Sequence, residues 1–257
     1  MPDLTAFDLT GRTALVTGSS RGIGLVLAGG LAAAGARVVL HGRDEGALAA
    51  ARAALVTGGA ADVRTVAFDV TDAGAVTAAV ADLEAATGGI DVLVNNAGIQ
   101  RRAPFLEFSA ADWDELVAVN LTSAFLVGQQ VARGMAARGR GKIINIGSVQ
   151  SRLGRAGIAP YAATKGGIAM LTRGMCADLA PLGIGVNALA PGYVATELTS
   201  ALVADEQFSA WVATRTPAGR WGRVEDLVGA AVFLASAASD FVHGQVLYVD
   251  GGMTAVV

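Results

Sequence analysis

Lysine is almost missing from this chain. Of its 257 residues 19 are basic, yet only Lys142 and Lys165 are lysine, and every other cation is arginine. One cysteine, Cys176, excludes an internal disulfide and gives no sign of an oxidising compartment. Cys176 falls in a helical run, where a buried core thiol is the better reading than a nucleophile. Histidine occurs only at His41 and His243, with no ligand spacing around either, so no metal site is indicated. No basic run or aromatic-interleaved patch accompanies the net charge of −3, and nucleic acid is not an expected partner. Two long charge-free stretches, 116–132 and 182–196, are broken by Asn, Gln, Gly or Pro. Neither reaches the roughly 18 apolar residues of a membrane span. The first residues, MPDLTAFDLTGR, carry acids and no long apolar run, unlike a secretory signal. A soluble, cytoplasmic protein is expected.

What is present is apolar. The chain is 53% hydrophobic and 16% charged, with a mean hydropathy of +0.51, enough for a large core and for surface covered by other subunits. Short β-branched runs at 14–17, 37–40, 63–68, 92–95, 142–146, 185–189 and 245–249 read as strands. Most are apolar throughout, as in parallel strands covered on both faces. Ala-rich helical stretches lie between them, for example 23–34, 75–86, 111–137 and 162–180. Such alternation implies right-handed crossovers and a doubly wound α/β sheet with helices on both faces. No linker divides the chain, so one domain over 1–257 is expected. The one long irregular section, about 192–223, reads as a substrate loop or lid.

After the first strand comes TGSSRGIG, with Gly18, Gly22 and Gly24 leading into a helix. Glycines here permit a tight turn and close approach of backbone to a pyrophosphate at the helix N-terminus. The spacing departs from G-x-G-x-x-G, and its place between strand and helix carries the signal. At the end of the second strand an acid would hold the 2′-hydroxyl of NAD. His41, Gly42 and Arg43 stand there instead. Arg43 and Arg21 suit a 2′-phosphate through charge-assisted hydrogen bonds, so NADP is preferred over NAD. Asp44 fits the N-cap of the next helix better than a ribose ligand.

Ser148 follows the fifth strand, and PYAATKGG carries Tyr161 and Lys165 four residues apart, on one helix face. Pro160 suits the start of that helix. A tyrosine with an ordinary pKa near 10 is a poor base at neutral pH. A neighbouring ammonium must supply much of the roughly 4 kcal/mol that brings it near neutrality.

The glycine loop, NNAG, Asn120, Ser148 and Tyr161–Lys165, in that order and spacing, resemble the short-chain dehydrogenase/reductase family over essentially the whole chain. The resemblance implies a Rossmann-type seven-stranded parallel sheet, assembled as a homotetramer through long helices around 120–131 and the tail GQVLYVDGGM. It implies Tyr161 as general acid/base, Lys165 as its electrostatic partner and ribose ligand, Ser148 as the group orienting the substrate oxygen, and Asn120 as holder of a relay water. For the cofactor it implies Gly18, Ser20, Arg21, Gly22, Ile23 and Gly24 at the phosphates. Asp69 and Val70 would lie at the adenine, and Asn95, Ala97 and Gly98 along the dinucleotide. Pro191, Gly192, Val194 and Thr196 would lie at the carboxamide.

An open-chain sugar acid fits the remaining inventory. Gln150 and Tyr193 are placed to bond hydroxyls near Ser148. Arg101, Arg102, Arg152 and Arg155 are candidates for a carboxylate, each weighed against a solvated loop charge or a subunit contact. Glu197 is a candidate hydroxyl acceptor and Trp221 a packing residue. Rival readings are a carbonyl reductase for 3-oxoacyl thioesters or for another sugar or polyol, and a non-catalytic nucleotide sensor. A thioester reductase should show a basic surface for its acidic carrier, and a sensor commonly lacks the tyrosine or lysine present here.

Overall fold

The computed structural model describes residues 4–256; the remaining ends of the expected domain, residues 1–3 and 257, lie outside the described residues. Seven strands form one sheet: β1 (Thr13–Val16), β2 (Arg37–Gly42), β3 (Val63–Ala67), β4 (Val92–Asn95), β5 (Gly141–Ile146), β6 (Ile184–Pro191) and β7 (Val246–Val249). Their order is β3-β2-β1-β4-β5-β6-β7, and every pairing is parallel. The expected doubly wound seven-stranded parallel sheet is therefore present, with each strand within two residues of its sequence-derived bounds.

Helices cover both faces. On one lie α1 (Gly22–Ala33) and α9 (Val228–Ala235), packing on Ala14, Val16, Val38 and Leu40. On the other, α3 (Ala73–Thr87) and α5 (Ser123–Arg138) pack on Leu15, Val39, Leu93 and Ile143. The alternation of Ala14, Leu15 and Val16 between these cores follows from the two-residue period of a strand. All of them are buried, because both sides of the sheet are covered. The helices α2 (Glu45–Thr57), α4 (Ala110–Val117), α6 (Ala159–Leu179), α7 (Ser200–Val203) and α8 (Glu206–Arg215) complete the set.

Two expectations change. The stretch 111–137 is helical but broken in register: a π turn, Ala118–Thr122, inserts between α4 and α5 and carries Asn120. Such turns recur at functional sites because they re-aim a side chain within a helix. The section 192–223 holds α7 and the ten-residue α8, whose N-cap Asp205 accepts from the Phe208 amide.

Chain order reverses at β1, whose neighbours are β2 and β4. A doubly wound sheet binds ligands beyond the carboxyl ends of the strands at such a point. The glycine loop after β1 and the NNAG segment after β4 meet there.

Candidate active site

The two loops are joined by hydrogen bonds before any ligand is considered. The Asn96 side chain donates through Nδ2 to the carbonyls of Thr17 and Gly18, both at 2.9 Å. Thr17 Oγ1 accepts from the amides of Asn96 and Ala97 at 2.9 and 3.0 Å. Close approach demands glycine twice. A Cβ on Gly18 would meet Ala97 Cα at 2.9 Å, and one on Gly24 would meet the Gly18 carbonyl oxygen at 2.5 Å. Helices α2, α3, α4 and α8 carry side-chain N-caps, from Asp44, Asp72, Ser109 and Asp205. In contrast α1 has none, and its first residues, Gly22 to Gly24, line a cavity of about 480 Å³. An uncapped helix N-terminus behind a glycine turn suits a phosphate, so the residues present fit a dinucleotide.

Deeper in the same cavity lie Ser148, Gln150, Tyr161 and Lys165. Pro160 occupies the first turn of α6, as expected, and places Tyr161 and Lys165 on one face. Tyr161 and Ser148 share a side-chain hydrogen bond. Lys165 Nζ donates to the Ile146 carbonyl at 2.7 Å and lies 5.7 Å from the Tyr161 ring centroid. Ser151 Oγ donates to the Lys165 carbonyl at 2.8 Å and tightens the turn that carries Ser148.

Electrostatics here differ from expectation. Burial pushes the Tyr161 phenol above its ordinary value, and the Ser148 hydrogen bond opposes this less strongly. Burial also pushes the Lys165 ammonium down to about 8. The low-dielectric wall that houses both groups penalises either charge, so the chain by itself keeps the phenol protonated.

The arginines separate cleanly. Arg102 and Arg155 line the cavity. Burial, then the like charge of Arg155, lowers the Arg102 pKa. Arg155 sits over the Phe208 ring of α8, 5.1 Å from its centroid. Among the described residues neither guanidinium has a carboxylate within ion-pair distance. Arg101 turns outward to Glu115 at 2.8 Å and Asp112 at 3.7 Å on α4, and does not line the cavity. Its expected place in substrate binding is corrected: two helix carboxylates capture it. Arg152 is exposed and also outside the cavity lining.

Gln150 and Tyr193 face each other across the cavity, with Gln150 Nε2 3.5 Å from the Tyr193 hydroxyl. The Gln150 Oε1 atom is buried and has no hydrogen-bond partner among the described residues. Tyr193 stands edge-on to Phe208, Trp211 and Trp221, so the 192–223 section is held by aromatic packing. Glu197 lines the cavity 4.0 Å from Arg21. Pro191, Gly192, Val194, Thr196 and Gly98 line it as well.

Several expected cofactor residues lie outside the lining of this cavity. Asn95 is buried behind the site, donating to Asn145 Oδ1 at 2.9 Å and to the Ala124 carbonyl at 3.3 Å. Asn96 takes the cavity position instead. Val70 packs in the core under β3, and Ala97 and Ser20 stand beside the cavity rather than on its wall. Asp69 accepts from the amide and hydroxyl of Thr71, and its other oxygen lies 3.8 Å from Arg43. Arg43 and Asp69 thus sit together beyond the cavity, at the end of β2 and β3. Asn120 uses its side chain on Ile99, accepting from the amide at 2.7 Å and donating to the carbonyl at 2.9 Å. It positions the loop that leads to Arg102. His41, which looked isolated, proves to be buried against the glycine loop.

A protein-family profile described as enoyl-(acyl carrier protein) reductase matches residues 18–254. Gluconate 5-dehydrogenase of Gluconobacter oxydans is 60% identical over 253 residues, covering 98% of both chains. The chain belongs to the short-chain dehydrogenase/reductase family. Within that family, 5-keto-D-gluconate 5-reductase of Escherichia coli K12 is 52% identical, again over 98% of both chains. A solved gluconate 5-dehydrogenase from Burkholderia cenocepacia, in complex with NADP and tartrate, superposes with a TM-score of 0.96 at 59% identity over 99% of each chain. The runs NNAGIQRRAP, SVQS, APGY and RTPAGRWG in this short-chain dehydrogenase resemble those of gluconate 5-dehydrogenases.

Proposed function

We propose that this protein is an NADP(H)-dependent oxidoreductase that interconverts D-gluconate and 5-dehydro-D-gluconate. The observation that carries the substrate side is the unpaired couple Arg102 and Arg155 on the cavity wall that also bears Ser148 and Tyr161. Two guanidiniums without a carboxylate of their own suit an acid substrate. The 60% and 52% identical relatives named for this activity support the same reading.

NADPH, when bound, supplies the hydride that the C5 carbonyl receives. The helix start at Gly22 to Gly24 takes the pyrophosphate, while Arg21 and Arg43 take the 2′-phosphate. Ser148 Oγ hydrogen-bonds the substrate oxygen. Tyr161 gives that oxygen its phenolic proton in reduction and takes a proton back in oxidation. Lys165, with one N–H on Ile146, has two left for the ribose hydroxyls. Gln150 Oε1, otherwise without a partner, accepts from a sugar hydroxyl. The 192–223 section, with Tyr193 at its base, covers the substrate. Asn120 orders the loop at Ile99 and so the way to Arg102.

In the cell the enzyme works in the cytoplasm as a homotetramer. Exposed Phe105, Leu106, Trp113, Phe125 and Met170, on or beside α4, α5 and α6, support an assembly through those helices. Mixing the purified protein with NADPH and a panel of keto-sugar acids and 3-oxoacyl thioesters tests the activity. Fast turnover is expected with 5-dehydro-D-gluconate, and turnover confined to the thioesters would overturn the reading.

A further inference from the structure

The imidazole of His41 takes no part in the chemistry above, yet it is one of the most enclosed polar groups in the molecule, 2% exposed. Its ring stacks at a tilt on Phe68, with centroids 4.0 Å apart. Its Nδ1 accepts from the Gly18 amide at 3.1 Å, and its Nε2 lies 3.1 Å from the Phe68 carbonyl oxygen. These contacts leave one proton arrangement. An amide N–H can only donate, so Nδ1 carries the lone pair; a carbonyl can only accept, so Nε2 carries the hydrogen. The backbone repeats the link, because His41 N donates to Ser19 Oγ and the Ser19 amide donates to the His41 carbonyl, both at 2.9 Å.

Gly18 is thereby held from both sides. His41 takes its amide hydrogen, and Asn96 donates to its carbonyl oxygen. The ring joins three consecutive strand ends, β1 through Gly18, β2 through itself and β3 through Phe68. That line of contacts runs from the glycine turn to Asp69 and Arg43.

We propose that His41 is a positioning residue for the dinucleotide, fixing the first glycine of the phosphate loop through a neutral imidazole hydrogenated at Nε2. The proposal rests on reading the glycine loop as the pyrophosphate site. Without the acceptor, the part-buried Gly18 amide loses its partner, and the loop relaxes towards conformations that fit the phosphates less well. A phenylalanine keeps the ring shape but has no acceptor. An asparagine loses the ring but returns an oxygen in the place of Nδ1.

The test is NADPH binding to the full chain, followed by fluorescence titration, for wild type, His41→Phe and His41→Asn. His41→Phe is expected to raise the NADPH Kd about tenfold, with the loss falling on cofactor affinity rather than on kcat at saturating NADPH. His41→Asn should recover most of that loss. With only two histidines in the sequence, nitrogen-15 NMR of the wild type reads the His41 tautomer directly, and the Nε2–H form is expected. The proposal is overturned if His41→Phe binds NADPH as wild type does while losing only thermal stability. Equal weakness of the two variants, or an Nδ1–H tautomer, overturns it as well. If NADPH binds normally to wild type but no sugar acid turns over, the substrate reading fails and this inference stands.

Discussion

Adjacent arginines with opposite fates offer the sharpest test of the substrate site. Arg101 is tied to Glu115 and Asp112 on the surface, whereas Arg102 faces the cavity beside Arg155. A hydrogen bond from a charged donor contributes about 1.5–3 kcal/mol, and about 2 kcal/mol corresponds to roughly thirtyfold in kcat/KM. Arg102→Gln should therefore cost roughly thirtyfold towards 5-dehydro-D-gluconate, chiefly in KM, because the carboxylate stays distant from the bond change and binds ground and transition states alike. Arg101→Gln breaks an exposed ion pair worth about 0.2–1 kcal/mol and should leave kcat/KM within about twofold. A neutral ketose of the same chain length, lacking the carboxylate, should distinguish the two enzymes little. Stability supplies an independent sign. Burial and the neighbouring Arg155 both disfavour the charge on Arg102, so its removal should not lower the urea midpoint. Equal losses in the two variants, or a loss for Arg102→Gln as large on the neutral ketose, would refute the reasoning.

Tyr161→Phe removes the proton donor and should reduce turnover by about 10²–10⁴-fold in both directions, with the NADPH Kd measured by fluorescence close to wild type. Arg43→Asp puts a carboxylate where a 2′-phosphate is read, beside Asp69, and should lower the NADP over NAD preference in kcat/KM at least about tenfold; an unchanged ratio would displace that subsite. His41 gives a pH signature in stability. Burial, helped by the Arg43 charge and outweighing the Phe68 hydrogen bond and the facing Asp69 charge, lowers its pKa from 6.5 to about 4. Between those values the unfolded chain takes a proton that the folded chain refuses, so stability falls as pH falls through this window, by about 3 kcal/mol in all. Urea unfolding at pH 7 and pH 4 should show a smaller acid loss for His41→Asn by about that amount.

Much of this was legible in the sequence because each strand is short, apolar throughout and followed by a helical run. What stayed hidden depended on register between distant segments. Asn95 and Asn96 look alike in the sequence, but Asn95 still belongs to β4 and points into the polar contact with Asn145 on β5. The chain leaves the sheet at Asn96 and can reach the glycine loop. Arg101 and Arg102 were indistinguishable for the same reason, since the carboxylates that capture Arg101 come from α4. The π turn at Ala118–Thr122 has no marker in an Ala/Val/Leu run, so 111–137 reads as one regular helix. His41 looked isolated because its partners lie on the strands either side, brought level only by parallel pairing.

The phenol of Tyr161 sets a direction-dependent pH profile. Burial raises its pKa above the ordinary tyrosine value, so the chain alone holds the phenol protonated across the neutral range. Reduction needs the proton on Tyr161 and finds it there across the neutral range. Oxidation needs the proton gone, so its rate should climb with pH, approaching tenfold for each pH unit while the phenolate remains scarce. Lys165 then limits the climb. Its pKa of about 8 means that above this pH the ammonium supporting the phenolate loses its charge. Initial rates with saturating substrates should therefore be nearly flat between pH 6 and 8 for 5-dehydro-D-gluconate reduction. Gluconate oxidation should rise over that span and bend above about pH 8. Oxidation that is flat or falling from pH 6 to 8 would show that Tyr161 is already ionised in the reacting complex, and that burial is not the effect that governs it.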